Sequence, residues 1–145
     1  MRVVVTGGAG FVGSHMCDVL VGRGDEVVCV DNLLTGARRN IAHLESADAF
    51  EFVETDVCEP FDVAGPVDAV MHLGRAFSLK ESVGKRFDLN VVGSQKIMNL
   101  AVQHNVPSLV VLSTFHIYGA HPSNHIPIAE DEPLRAGVQF PQIAD

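Results

Sequence analysis

The sequence predicts an α/β fold built as a doubly wound parallel sheet with strand order 3-2-1-4-5. Three observations support this. Short apolar runs rich in β-branched residues alternate with longer stretches of helical period, the pattern of strands joined by helical crossovers. Residues 2–13, Arg-Val-Val-Val-Thr-Gly-Gly-Ala-Gly-Phe-Val-Gly, read as a strand, a glycine-rich turn and a helix start. An acidic residue, Asp31, stands at the end of the next apolar run. Together they identify the Rossmann arrangement, in which a dinucleotide lies across the ends of the strands.

Val3 to Val5 form the first strand, and the helix after Gly10 places Val12, Met16, Val19 and Leu20 on one face before Gly22 and Gly24 end it. Glu26 to Val30 form the second strand, Phe50 to Val53 the third, Val67 to Leu73 the fourth and Ser108 to Leu112 the fifth. All are nearly continuous in apolar residues, as strands covered on both faces must be. A long helix is expected from about Ser82 to His104, burying Phe87, Val91, Met98 and Ala101, with Asn105 and Pro107 as stop signals. Right-handed crossovers open a crevice where the first and fourth strands diverge. From Gly119 onward Pro122, Pro127, Pro133 and Pro141 interrupt the chain, and no further strand is expected. The expected organisation is a dinucleotide-binding domain over residues 1–118 and a proline-rich loop segment over 119–145, the fold being truncated after its fifth strand.

Of the 145 residues 47% are hydrophobic, enough to build one core. A net charge of -8 leaves no basic field to gather phosphate backbones, which argues against nucleic acid as a partner. Cys17, Cys29 and Cys58 are odd in number and far apart, so buried reduced thiols are expected rather than a disulfide framework or a zinc site. No apolar run approaches the roughly 20 residues that cross a bilayer. A cytoplasmic location without membrane contact is the resulting expectation.

A phosphate turn needs glycine where the backbone takes positive φ, where it approaches a pyrophosphate closely, and where the helix packs on the strand. Gly7, Gly10 and Gly13 supply these three in the spacing Gly-x-x-Gly-x-x-Gly. Free amides and the positive dipole end of the following helix then meet the diphosphate. The carboxylate of Asp31 suits the hydroxyls of an adenosine ribose and repels a 2′-phosphate, favouring NAD over NADP. Arg38 and Arg39 lie a few residues on; as a pair on a polar segment they read either as solvated charges or as cations that soften this preference.

The sequence resembles the extended short-chain dehydrogenase/reductase family, the NAD-dependent epimerase/dehydratase group acting on nucleotide sugars. The resemblance covers essentially the whole chain. It rests on Val-Thr-Gly-Gly-Ala-Gly-Phe-Val-Gly-Ser at 5–14, Val-Asp-Asn-Leu-Leu-Thr-Gly at 30–36, Asp56-Val57, His-Leu at 72–73, Asn90-Val-Val-Gly-Ser, and Leu-Ser-Thr-Phe-His-Ile-Tyr-Gly at 112–119. The first seventy residues look most like UDP-glucuronate decarboxylases, and the later part more like UDP-galactose 4-epimerases. By this resemblance Gly7, Gly10, Phe11 and Val12 line the pyrophosphate, Asp31 with Asn32 holds the adenosine ribose, and Asp56 with Val57 meets the adenine. Leu73, Gly74 and Arg75 run beside the cofactor; the family usually has Leu-Ala-Ala here, so Arg75 adds a cation. Asn90 is placed near the active site, or else it is a solvated helix asparagine.

In this family a serine or threonine works with a tyrosine and a lysine four residues after it, the lysine lowering the tyrosine pKa so that the phenolate takes a sugar hydroxyl proton. Thr114 occupies the serine/threonine position. The sole tyrosine, Tyr118, belongs to the motif that closes the fifth strand, and no lysine follows Lys96. Aligning Ile126-Pro127 and Glu130 with the family puts Pro141 or Gln142 at the tyrosine position, and neither serves as a general base. His116 stands where the decarboxylases carry an acid. His116, His121 and His125 are spaced closely enough to shuttle a proton or hold a metal, but loop histidines are mostly solvated and no metal site is assigned. His72 reads as a packed, hydrogen-bonded residue, and Glu130, Asp131 and Glu132 as a solvated charge run.

Three readings therefore stand: the NAD-binding part of a nucleotide-sugar epimerase or dehydratase, a module that holds NAD(H) without the usual chemistry, and a truncated product. Family resemblance implies a homodimer through the helix at 82–104. With no helix after the fifth strand, Leu109 to Leu112 should leave an exposed apolar patch.

Overall fold

Val3, Val4 and Val5 are all buried, which puts their strand in the middle of a sheet covered on both faces. The computed structural model describes residues 1–74, 84 and 87–135. Five strands, β1 (Arg2–Thr6), β2 (Glu26–Asp31), β3 (Phe50–Glu54), β4 (Ala69–His72) and β5 (Ser108–Val111), form one sheet in the order β3-β2-β1-β4-β5. Every pairing is parallel, with Val5 opposite Cys29 on one side and Met71 on the other. The expected order and class are therefore found, with strand ends moved by no more than two residues.

Alternate residues of a strand face opposite sides, so the sheet carries two cores. Val3, Val5, Cys29 and Phe50 pack with Cys17 and Leu20 of α1 (Phe11–Gly22) and with Ile41. Val4, Val28, Val30 and Val70 pack with Ile97, Leu100 and Ala101 of α2 (Gly93–Gln103).

Leu20 and Met16 of α1 and Ala101 of α2 pack on the sheet as expected, but the rest of each expected apolar face does not. In α1 the buried stripe is Gly13, Ser14, Cys17 and Leu20, while Val12 and Val19 are exposed. The cause is Gly13: a Cβ there would collide with the carbonyl oxygen of Gly7 and the Cα of Gly8, and this close approach fixes the helix rotation. In α2 the stripe is Gly93, Ile97, Leu100 and Ala101, and Phe87 and Met98 are exposed. A π-helical turn, Asp88–Val92, precedes α2 and inserts a residue into the helical repeat between Phe87 and the buried stripe, putting Phe87 out of phase with it. Residues 82, 83, 85 and 86 of the expected long helix lie outside the described residues. Its end is as expected, since Asn105 takes φ 50° and lets the Val106 amide reach the Ala101 carbonyl.

Strand β5 breaks the rule of covered strands. Leu109, Val110, Val111 and Leu112 are 36%, 48%, 48% and 45% exposed, an apolar run along the sheet edge. Cys17 and Cys29 are buried free thiols, whereas Cys58 is only half-buried.

Residues 1–112 and the described residues from Ser113 onward form two compact units. The second is built around Glu132, which is buried rather than solvated. It accepts a hydrogen bond from Arg135 Nη1 at 2.7 Å and pairs with His125 Nδ1 at 2.9 Å. These partners, Arg135 first, hold its carboxyl down to about 2. Among the described residues no helix is long and apolar enough to cross a membrane.

Candidate functional site

The glycine turn sits where β1 gives way to α1. Gly7 has φ 70°, and a Cβ on it would lie 2.5 Å from both the N and Cα of Gly74, so the turn is pressed against the end of β4. Gly7 N donates to Val30 O at 2.8 Å, tying the turn to β2 as well. Gly10 caps α1 without a side-chain hydrogen bond, and no acidic residue occupies the first turn. The first-turn amides of Phe11, Val12 and Gly13 therefore have no side-chain cap, and helix-start donors of this kind suit an anion.

Asp31 closes the other side. Its Oδ2 accepts from Ala9 N at 3.0 Å and its Oδ1 from Leu33 N at 2.8 Å, so one carboxylate joins the glycine turn to the loop after β2. Leu33 is held there at φ 57°, a conformation that leucine rarely adopts. Gly36 lies against the same carboxylate: a Cβ on it would be 2.9 Å from Asp31 Oδ1 and 2.9 Å from the carbonyl carbon of Ala9. Each carboxylate oxygen keeps a second lone pair for a ligand hydroxyl.

Between these walls lies an open cleft lined by Gly7, Val30, Asp31, Asn32, Leu34, Thr35, Thr55, Asp56, Val57 and Gly74. Asn32 Nδ2 donates to Asp56 Oδ2 at 2.9 Å, bridging the rims contributed by the loops after β2 and β3. Cys58 N donates to the other oxygen, Asp56 Oδ1, at 2.8 Å. The β3 loop is further locked to α2, because Lys96 Nζ donates to Cys58 O and Gly93 fits beneath Val57. Burial pushes the Cys58 thiol up to about 11.

A second polar arrangement lies at the end of β1 and β4. Thr6 Oγ1 is 2.6 Å from His72 Nδ1, and His72 Nε2 is 3.0 Å from Ser94 Oγ. Ser94 donates its own proton to Asn90 O at 2.5 Å, so its oxygen accepts from His72 Nε2–H and Nδ1 accepts from Thr6. Burial lowers the His72 pKa, consistent with this neutral tautomer. These linked hydrogen bonds tie the π-helical turn that carries Asn90 to the end of the sheet; Asn90 Oδ1 is buried and has no hydrogen-bond partner among the described residues.

Of the residues expected to hold a dinucleotide, the cleft brings together Gly7, Asp31, Asn32, Asp56, Val57 and Gly74. Gly10 and Gly13 do not line it; they form the turn and the start of α1 beside it, Gly13 packed against Gly7 and Gly8. Phe11 and Val12 present exposed side chains, so only their amides face an anion. Leu73 packs against the core instead of lining the cleft. Asn90 belongs to the hydrogen-bonded series through His72, and Arg75 lies outside the described residues. Sequence reasoning missed Leu34, Thr35, Thr55 and Gly36; only Gly36 carried a signal, being a glycine five residues past Asp31.

Thr114 lies in the second unit, where its Oγ1 is 2.8 Å from His116 Nδ1. Tyr118 Oη is 3.5 Å from Glu130 O, in the same unit. His116, His121 and His125 do not converge: His121 pairs with Ser123 and His125 with Glu132. No group of three or more histidines, cysteines and carboxylates gathers among the described residues. Pro141 and Gln142, the positions aligned with the family tyrosine, lie outside the described residues.

Comparison with known proteins adds to this geometry. A model of the NAD dependent epimerase/dehydratase family matches residues 3–140. UDP-glucuronic acid decarboxylase 1 of Arabidopsis thaliana is 43% identical over 122 residues, covering 82% of this chain and 27% of that protein. The crystal structure of a UDP-galactose 4-epimerase superposes with TM-score 0.80 at 34% identity, over 93% of this chain and 45% of the other. UDP-glucose 4-epimerase of Thermus thermophilus, solved in complex with NAD, gives TM-score 0.72 at 32% identity, over 93% and 44%. The chain thus spans less than half the length of each of these three.

Proposed function

This chain belongs to the NAD-dependent epimerase/dehydratase family, and from that premise we propose that it is the part that holds NAD in an enzyme acting on nucleotide sugars. The supporting observation is the joined geometry of Asp31 and the glycine turn: a buried carboxylate bonded to Ala9 N, beside helix amides that no side chain caps. Glycine at Gly7 and Gly13 lets the turn close against Gly74 and the helix start close against Gly7 and Gly8, where a Cβ would collide with backbone, and this tight turn is the support for a diphosphate. The amides of Phe11, Val12 and Gly13 hold its charge. Asp31 with Asn32 receives the adenosine ribose, and Asp56 with Val57 bounds the adenine end of the cleft. Gly74 keeps the end of β4 open beside the turn, with Leu73 packed behind it and Arg75 following. Bound NAD supplies hydride exchange at its nicotinamide ring.

Proton transfer is a separate matter. Thr114 is the residue proposed to meet a sugar hydroxyl, by its place in the family motif at 112–119; Asn90 is, by the same resemblance, a separate candidate for the cofactor side. No tyrosine is followed four residues later by lysine in this sequence, which favours binding of NAD by this chain without turnover. The names of its relatives, decarboxylases of UDP-glucuronic acid and 4-epimerases of UDP-glucose, support a UDP-sugar as substrate of the complete enzyme.

The reading extends to a cytoplasmic location, supported by the reduced thiols of Cys17 and Cys29. It also includes a homodimer formed through α2, where Met98 and Val102 are 40% and 77% exposed. Absorbance of reduced nicotinamide, followed with NAD⁺ and a panel of UDP-sugars, tests the division of labour. Tight NAD⁺ binding with no reduction is expected, and turnover by this chain alone would contradict it.

A further inference from the structure

Arg38 is the cation nearest in sequence to the ribose side of the cleft, and an arginine in such a place is what accommodates a 2′-phosphate in NADP-binding relatives of this fold. Here it is engaged elsewhere. Its Nε donates to Glu45 Oε1 at 2.8 Å, and its Nη1 lies 3.7 Å from Glu54 Oε2. The guanidinium carbon stands 5.2 Å over the ring of Phe52. Glu54 pairs in register with Asp31 across β2 and β3, so the arginine is held on the β3 side of the carboxylate that meets the ribose.

The base of Arg38 is also fixed. Ala37 N donates to Ala9 O at 3.0 Å and Asn40 Nδ2 donates to the same oxygen at 2.8 Å, pinning both sides of the arginine to the glycine turn. Arg38, Glu45 and Glu54 are 56%, 33% and 56% exposed at their side chains, and ion pairs so open to water add little to stability. Their effect falls instead on the local field, where two carboxylates cancel the cation that a 2′-phosphate would need.

We propose that Glu45 and Glu54 withhold Arg38 from the ribose 2′ position, so that cofactor choice is set by Asp31, Arg38, Glu45 and Glu54 together and not by Asp31 alone. The proposal rests on NAD being held in this cleft. Releasing Arg38 gives the chain a cation to offer a 2′-phosphate, while the contacts to the 2′-hydroxyl form of the cofactor stay as they are.

Calorimetric titration of the full chain with NAD⁺ and with NADP⁺ tests this in the wild type, the Glu45→Gln/Glu54→Gln variant, and that variant with Arg38→Ala added. The double variant is expected to bind NADP⁺ about tenfold more tightly, the value of one charge-assisted hydrogen bond. Its NAD⁺ affinity, which also reports correct folding, is expected to stay within about twofold, because a 2′-hydroxyl gains little from a freed guanidinium. Adding Arg38→Ala should remove the gain. An unchanged NADP⁺ affinity would overturn the proposal, as would a gain that survives Arg38→Ala, or an equal change for both dinucleotides. Failure of the wild type to bind NAD⁺ would instead overturn the reading of the cleft itself, and this proposal with it.

Discussion

The carboxylate of Asp31 and the backbone amide of Ala9 meet at 3.0 Å, which makes the end of β2 and the glycine turn after β1 a single structural unit. The same side chain holds Leu33 N at 2.8 Å. Asp31→Ala removes both acceptors, and hydrogen bonds to a charged group contribute about 1.5–3 kcal/mol each. We expect NAD⁺ affinity to fall at least roughly tenfold, with a smaller loss for Asp31→Asn, which keeps one acceptor oxygen. Calorimetric titration of the two variants would show the order, and equal affinity for both and for the wild type would contradict it.

Gly7 and Gly22 should respond to alanine in opposite directions. At Gly7 the left-handed backbone alone costs about 1–2 kcal/mol for an L-residue, and the new Cβ would strike Gly74. At Gly22, the last residue of α1, a Cβ meets nothing within 4 Å, and alanine should raise stability by up to about 1 kcal/mol. Urea unfolding of Gly7→Ala and Gly22→Ala measures both signs, and a Gly7→Ala protein as stable as the wild type would refute the tight turn.

Glu132 links the second unit to pH. Its carboxyl has an ordinary value of 4.5 and is held to about 2 by Arg135 and His125. A depressed folded value means that the ion pair contributes in full above pH 4.5 and that its contribution is lost as pH falls from 4.5 toward 2. Tyr118, the sole tyrosine in a chain without tryptophan, reports on this unit. Its emission should change within that window, and Glu132→Gln should abolish the transition. An identical acid profile in the two proteins would show that the pair does not hold the unit together.

Strand β5 presents Leu109, Val110, Val111 and Leu112 along an open sheet edge, a surface prone to pairing with other chains. We expect concentration-dependent association in sedimentation velocity, reduced by Val110→Lys. A monomer at every concentration with a sharp, high-temperature melt would contradict this.

The sheet was legible because parallel strands must be apolar throughout, and Val3-Val4-Val5 or Val27-Val28-Cys29-Val30 admits little else. Helix faces were not. The stripe of α1 starts on Gly13, small enough to sit against Gly7, and the stripe of α2 on Gly93, with the insertion at Asp88–Val92 putting Phe87 out of phase; a reading that looks for large apolar side chains passes over glycine anchors. In the site, Gly7 and Asp31 could be read from spacing because a phosphate turn demands them. Thr55 could not, since its place depends on how the loop after β3 folds beside the cleft. Glu132 was misread for the same kind of reason: three consecutive acids look solvated until Arg135 and His125 are brought to one of them.

Isothermal titration of the unmodified chain with NAD⁺ tests the central claim most directly. One NAD⁺ per chain, with affinity lost in Gly7→Ala and weakened in Asp31→Ala, is the expected result; absence of NAD⁺ binding by the folded chain would contradict the assignment of this cleft.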